Sequence, residues 1–510
     1  MEISSIELIC KSGTRVLEKK GSSFISEDVR VDIDCGKLNI SGQNSEIYEL
    51  RLHIANTFFK NARVLGDAWE RGYGDLEWEL MPDKAMPWYF CAVENGINYC
   101  FGVKVQPNAM CSWECNKDEI ILRVDIRNGS NPICLNGRVL TACEIVEAVY
   151  NSDTYSALRD FCRMMCEKPR SKNKVIFGGN DWYCNYGDNS YDKIIEHTKR
   201  IVECSPNSGV KPYMVIDDGW QICHHGSGDS FYNGGPWKCC NRNFKDMKKM
   251  AEDITKLGAI PGIWFRPLNT MEKFPPECIL GQNGFNYILD PSSEITLAQV
   301  AEDIKTLKDW GYKLIKHDFS TRDICGQYGF GMTEQICNGE VVFADRTKTT
   351  AEIIKNLYFT IREAAGDDIL LMGCNTFSHL SAGIFDLQRT GDDTSGFEWE
   401  RTRQMGVNTL AFRMAQHNNF YIVDADCVGI TNKIDWEKNK QWLDVVAKSG
   451  TPLFVSIAQD AYTDEVKSAL KAAFEKSAGN LTISKPLDWF DTKTPQNWES
   501  AFGVDTYDWS

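Results

Sequence analysis

The polar and apolar positions change their period once along the chain. In the first part the apolar runs are short and β-branched or aromatic, as in Val29–Ile33, Glu49–Ile54, Tyr89–Val93 and Ile120–Ile126, and several alternate with polar side chains. Turn dipeptides such as Asn95-Gly96, Asn128-Gly129 and Asn136-Gly137 separate them. Alternation punctuated in this way predicts antiparallel strands with one buried face, a β-sandwich. Over Thr154–Cys166 the spacing becomes helical, with Leu158, Phe161, Cys162 and Met165 at i, i+3, i+4 and i+7. The boundary is placed there, giving a sandwich over 1–165, a second domain over 166–478 and a short tail over 479–510.

The second domain shows continuous apolar runs, the mark of a parallel sheet buried on both faces. Eight runs qualify as strands: Val175–Phe177, Tyr213–Ile216, Ile260–Phe265, Lys313–Ile315, Ile369–Met372, Gly383–Phe385, Phe420–Val423 and Leu453–Val455. Amphipathic stretches lie between them at Tyr191–Glu203, Asp246–Leu257, Thr296–Trp310, Ala351–Ala364 and Gln441–Lys448, and another follows at Thr463–Ala478. Eight βα repeats over roughly 290 residues fit an α/β fold of the TIM (β/α)8 barrel type, with a doubly wound sheet as the alternative. The fifth and sixth runs are so close that their connecting helix must be vestigial.

Composition narrows the function. At 510 residues, 43% hydrophobic and 25% charged, the chain is an ordinary globular one. Lys plus Arg is 56 against 71 for Asp plus Glu, a formal charge of −15, which opposes binding to nucleic acid or to an anionic membrane. No apolar run approaches the roughly 20 residues of a membrane span. The opening Met1–Glu7 has neither a basic region nor an apolar core, so no secretory signal is expected and a cytoplasmic location follows. The 20 cysteines form no CxxC and are irregularly spaced, and they read as reduced, mostly buried side chains rather than a disulfide framework. With only seven histidines, no structural metal site is expected.

In a barrel the chemistry sits where the strands end. The first run leads to Asn180-Asp181-Trp182, the second to Asp217-Asp218-Gly219-Trp220, the third to Trp264-Phe265-Arg266 and the fourth to Lys316-His317-Asp318. The fifth leads to Cys374-Asn375, the sixth to Arg389-Thr390-Gly391-Asp392-Asp393 and the seventh to Asp424-Ala425-Asp426. Carboxylates, aromatics and a few cations at one mouth suit a neutral polyhydroxylated ligand, so carbohydrate is the expected substrate. An acid after a strand is often the N-cap of the next helix, and that reading is kept for Asp181, Asp424 and Asp426. It weakens for adjacent Asp217 and Asp218, whose like charges need a compensating ligand or donors.

Asp318 and Asp393 stand out. Retaining glycoside hydrolysis needs one ionised carboxylate as nucleophile and one protonated carboxyl as general acid. Lys316, two residues before Asp318 on one strand side, can hold it ionised, and Arg389, four before Asp393, can orient the acid loop while tending to lower its pKa.

Val215-Ile216-Asp217-Asp218-Gly219-Trp220, Leu314-Ile315-Lys316-His317-Asp318 and Arg389-Thr390-Gly391-Asp392-Asp393-Thr394 together resemble the α-galactosidases of glycoside hydrolase family 36 and their relatives in family 27. Leu65-Gly66-Asp67-Ala68-Trp69-Glu70-Arg71-Gly72-Tyr73-Gly74 looks like part of that family's N-terminal sandwich. The resemblance implies an exo-acting, retaining enzyme without cofactor or metal, and it favours a homo-oligomer. It implies Asp318 as nucleophile and Asp393 as acid/base, with Asp392 as runner-up. It places Asp217 and Asp218 at the C4 and C6 hydroxyls of galactose, Lys316 at the C3 and C4 side and Cys374 near C2. Trp182, Trp220 and Trp264 are then sugar-facing aromatics, with Arg389 beside the acid. Trp69 would reach the pocket from the sandwich of its own or a neighbouring subunit.

Three departures qualify the resemblance. Arg266 stands where many members carry Glu and puts a cation near the mouth; Asn375-Thr376-Phe377 replaces a glycine-rich loop; and the tail is too short for the usual C-terminal antiparallel domain, which is therefore reduced or cut. The rival readings are a β-L-arabinopyranosidase, an α-N-acetylgalactosaminidase, an α-galactosyl transglycosylase and a non-catalytic carbohydrate-binding barrel.

Overall fold

The alternating segments of the first half pair as antiparallel strands in this computed structural model, which describes residues 2–170, 173–225 and 232–510. Met1, where the expected sandwich begins, lies outside them. One sheet has seven strands and a second has nine. Glu119–Asp125 shows how the period works: every second residue is buried, and Leu122 and Val124 face Leu52 and Leu50 on the neighbouring strand. The two sheets meet through aromatics, since Trp113 of one lies 5.9 Å from Phe90 and 6.1 Å from Phe101 of the other. Asn95-Gly96 makes the tight turn between Tyr89–Glu94 and Ile97–Val103, with φ of +53° and +77° as such a hairpin requires. The helix Thr154–Met165 follows, capped by Asp153 and burying Leu158, Phe161, Cys162 and Met165 as its spacing predicts.

The second half builds a nine-stranded parallel sheet. We number its strands β1 (Phe177–Asn180), β2 (Tyr213–Ile216), β3 (Ile260–Phe265), β4 (Leu314–His317), β5 (Leu370–Gly373), β6 (Leu387–Arg389), β7 (Ile422–Asp424), β8 (Cys427–Ile430) and β9 (Leu453–Ile457). Their spatial order is β7-β6-β5-β4-β3-β2-β1-β9-β8, so the two outermost strands are consecutive in the chain and only Ala425 and Asp426 separate them. Helices Tyr191–Cys204, Met247–Leu257, Glu294–Asp309, Thr350–Ala365, Trp436–Lys448 and Asp464–Gly479 match the amphipathic stretches.

Two expectations are corrected. The sixth strand is Leu387–Arg389, not Gly383–Phe385: a short helix, Ser378–Ser381, and a positive φ at Gly383 occupy the earlier segment. The first strand starts only at Phe177, so Val175 and Ile176 precede it.

The tail is ordered as a small antiparallel sheet of Lys485–Pro486, Asn497–Ser500 and Gly503–Thr506, with Trp489, Trp498 and Trp509 buried. All 20 cysteines are unbridged and most are buried. Among the described residues no helix is long and apolar enough to cross a membrane.

Candidate active site

Side chains from the strand ends converge on one cavity of about 290 Å³. Eight expected residues line it: Trp182, Asp217, Asp218, Trp264, Lys316, Asp318, Asp392 and Asp393.

Asp217 and Asp218 end β2 almost fully buried. Asp217 accepts from Lys316 Nζ at 2.7 Å and Asn180 Nδ2 at 2.6 Å, so the cation of β4 serves the carboxylate of β2. Asp218 accepts from Gln221 Nε2 at 2.6 Å and Asn233 Nδ2 at 2.8 Å. Burial pushes its carboxyl up to about 7; the two amides oppose that rise and the neighbouring Asp217 adds to it. Asp181 occupies the N-cap position of the short helix Trp182–Asn185, but its side chain makes no capping hydrogen bond there. It accepts from the backbone N–H of Asp217 at 2.7 Å and so fixes the end of β2.

Asp318 follows β4. Its Oδ2 accepts from Trp264 Nε1 at 3.1 Å and its Oδ1 from the backbone N–H of Phe319 at 2.8 Å. Phe319 has φ of +61°, an unfavourable conformation for a bulky residue, and its ring lines the cavity. Trp264 thus acts at this site as a hydrogen-bond donor as well as an aromatic wall.

Asp392 and Asp393 are held very differently. Asp392 has a guanidinium on each oxygen, Arg71 on Oδ1 and Arg401 on Oδ2, both at 2.7 Å. Asp393 is approached less closely, on Oδ1 by Arg389 at 3.3 Å and by Arg71 at 3.6 Å, and 38% of its side chain is exposed. Burial alone would raise its carboxyl, but Arg389, Arg71, Lys316 and Arg401 together hold it below the usual carboxylate range.

Four expected contacts lie off the cavity wall. Trp220 turns inward after Gly219 and donates Nε1 to the Trp264 carbonyl at 3.0 Å, packing on Trp237 in the core. Cys374 is buried behind the wall, where Arg389 donates to its sulfur at 3.3 Å. Arg389 is 1% exposed and pairs with Asp426 at 2.8 Å as well as with Asp393. Trp69 donates Nε1 to the Met332 carbonyl at 3.1 Å and lines a different cavity. Asp426 is a buried acceptor for Tyr183 Oη and for the N–H and hydroxyl of Thr394, so the helix-cap reading fails there too.

Arg266 is not a free cation at the mouth. It is fully buried, forked onto Asp323 at 2.9 and 2.6 Å, with its guanidinium 4.2 Å from the Phe319 ring centroid. Asn375 takes up structural bonds, donating to Glu70 at 2.7 Å.

Sequence reasoning missed six lining residues: Arg71 and Tyr73 from the first half, Phe319 beside Asp318, Tyr328 and Phe330 from the segment after β4, and Arg401 from the helix Trp399–Thr402. Gly72 is joined to the acid loop by two backbone bonds, its N–H to the Thr390 carbonyl at 2.8 Å and its carbonyl from the Asp392 N–H at 2.9 Å. At Gly391 a Cβ would stand 2.2 Å from the Met405 carbonyl oxygen, so only glycine permits this splice.

No family model matches the chain. Solved structures do. TtGalA, the α-galactosidase of Thermus thermophilus in complex with p-nitrophenyl α-D-galactopyranoside, aligns with a TM-score of 0.62 at 16% identity, covering 99% of this chain and 99% of that one. The chain has the fold of the family 36 α-galactosidases. A variant of AgaA, a family 36 α-galactosidase from Geobacillus stearothermophilus, in complex with stachyose, aligns at 0.64 with 13% identity over 98% of this chain and 79% of that one. The galactosidase domain of the α-galactosidase-sucrose kinase AgaSK aligns at 0.60 with 14% identity over 97% of this chain and 70% of that one. The family 36 fold thus spans both halves of the chain, and the cavity lies where they meet.

Proposed function

We propose that the protein is a retaining, exo-acting α-galactosidase. The carrying observation is that Asp318 after β4 and Asp393 after β6 share one cavity with Asp217, Asp218 and Lys316. Neighbours of the same fold are α-galactosidases, in complexes with a nitrophenyl galactoside and with stachyose, which supports the sugar. The sheet reads as an eight-position barrel, β7 and β8 being two halves of one strand broken at Ala425-Asp426, and the antiparallel sheets as a sandwich before it.

In this reading Asp318 attacks the anomeric carbon, Trp264 and the Phe319 N–H holding both its oxygens in place. Asp393 protonates the departing oxygen and then deprotonates the water that releases galactose. The choice of Asp393 over Asp392 rests on the ion pairs: two guanidiniums at 2.7 Å commit both oxygens of Asp392, whereas the arginines paired with Asp393 stand farther off, at 3.3 and 3.6 Å, and 38% of its side chain is exposed. A sugar in the cavity displaces the water that solvates the ionised form of Asp393 and so favours its protonated, acidic form. Asp217, Asp218 and Lys316 receive the galactose hydroxyls. Cys374, assigned by resemblance to C2, is 1% exposed and off the wall, which favours a free C2 hydroxyl over an acetamido group.

A panel of nitrophenyl α-galactoside, β-L-arabinopyranoside, α-N-acetylgalactosaminide and α-glucoside tests the sugar. Fastest release from the α-galactoside is expected, and hydrolysis of none of them would leave a binding protein. NMR of the first-formed sugar should show α-galactose; β-galactose would reject the double displacement.

A further inference from the structure

Arg389 faces more than one carboxylate, and Asp393 is not the nearest. Its Nη2 lies 2.8 Å from Asp426 Oδ2 and 3.3 Å from Asp393 Oδ1, while its Nε stands 4.0 Å from Asp424 Oδ2. Asp426 and Asp393 therefore compete for one guanidinium nitrogen. The same Asp426 oxygen accepts from the Thr394 N–H at 2.8 Å, from the Thr394 hydroxyl at 2.9 Å and from Tyr183 Oη. Thr394 follows Asp393 in the chain, so Asp426 grips the acid loop one residue beyond the acid.

The backbone adopts an uncommon conformation where this contact is made. Asp426 ends the two-residue break between β7 and β8 and has φ of +70°, a left-handed conformation that residues other than glycine seldom adopt. Outliers of this kind collect at functional sites, where surrounding contacts over-determine them. Asp426, Arg389, Thr394 and Tyr183 are all buried, so salt and solvent screen the ion pair little. Burial raises the Asp393 carboxyl, and Arg389 leads the cations Arg71, Lys316 and Arg401 in lowering it. The phenols of Tyr183 and Tyr186 face both Asp393 and Asp426, and Asp424 and Cys427 face Asp426 from its own segment. Arg389 is the cation that pairs with both acids.

We propose that Asp426 is a positioning residue for the acid/base: it draws Arg389 away from Asp393, anchors the acid loop through Thr394, and so keeps Asp393 able to take up the proton it must deliver. This rests on the reading of Asp393 as the acid/base of an α-galactosidase. Asp426→Asn removes the nearer carboxylate, which leaves Arg389 to Asp393 and takes a like charge from its surroundings. Both changes favour ionised Asp393, so the alkaline limb of kcat/KM on an α-galactosyl disaccharide should move down by about one pH unit. A purely structural role would lower the melting temperature and leave the limb in place. A limb that stays put or rises in a folded Asp426→Asn protein overturns the proposal. Should that variant not fold, Thr394→Val decides: with one donor fewer, Asp426 draws Arg389 more strongly and the limb should rise, and a limb that does not rise overturns the proposal. A wild type inactive on nitrophenyl α-galactoside, or an Asp393→Asn protein that loses nothing on the disaccharide, overturns the underlying reading and the positioning role with it.

Discussion

Replacing Arg71 by Met would show whether the first half of the chain tunes the chemistry of the second. Its guanidinium reaches Asp393 at 3.6 Å and Asp392 at 2.7 Å. Two unit charges at that longer distance attract by about 4–5 kcal/mol at an effective dielectric of about 20. Asp393 is 38% exposed and shares the guanidinium with Asp392, so solvent and competition reduce this to about 1–2 kcal/mol. Without the cation Asp393 protonates more easily. The alkaline limb of kcat/KM, which reports the protonated acid of the free enzyme, should then move to higher pH by about one unit. Arg71→Lys, which keeps a charge, should move it less. Because the cations lower this carboxyl in the fold, their attraction stabilises the protein above the ordinary carboxylate range and fades as pH falls through the lowered value. The melting loss of Arg71→Met should therefore be greatest near neutrality and shrink in acid. The assay is a pH series of kcat/KM on an aryl α-galactoside, alongside thermal melts. An alkaline limb that stays put, or moves down, in a folded Arg71→Met protein refutes the argument.

Asp318→Ala should lower kcat by several orders of magnitude and be partly rescued by azide as a β-galactosyl azide; near-native turnover would remove Asp318 from the mechanism. Asp393→Asn should cost about 10²–10⁴-fold on poor leaving groups and far less on activated aryl galactosides, whereas Asp392→Asn should lower the melting temperature without that dependence, and a reversal of the two patterns would exchange their roles. Asp218, raised by burial to about 7, should bind galactose-like inhibitors more tightly as pH rises through neutrality, because only the ionised form accepts from a hydroxyl on both oxygens; a flat inhibition profile would contradict it. The same rise means the fold holds a proton that the unfolded chain has lost, so this residue lowers stability as pH climbs from about 4 to about 7. Asp323→Ala leaves the guanidinium of Arg266 without its carboxylate inside the protein and should cost about 3–5 kcal/mol in chemical denaturation.

The strands were legible because burial imposes a period, and the acids at their ends because a parallel sheet gathers its strand ends on one side. Asp217, Asp218, Lys316 and Asp318 were therefore locatable from local sequence alone. Trp220 lies off the cavity wall because the direction of a side chain after a strand depends on a turn, here at Gly219 with φ of +123°, that apolar pattern does not encode. β8 was missed because the two-residue break at Ala425-Asp426 cuts one apolar run into two short ones. Arg71 and Tyr73 were out of reach for a different reason: they arrive by contacts spanning hundreds of residues, whereas Arg401 is brought back onto Asp392 from nine residues on by the turn into the helix Trp399–Thr402. The one local trace was the dense Gly and aromatic content of Trp69–Gly74, where small residues permit close backbone approach.

The splice between Gly72 and the Thr390–Asp392 segment makes the two halves inseparable as working parts. The second half taken alone would keep Asp217, Asp218, Asp318, Asp392 and Asp393 and lose Arg71, which pairs with both Asp392 and Asp393. Grafting a different N-terminal half onto the same parallel sheet would be a way to retune its working pH without touching a single acidic residue.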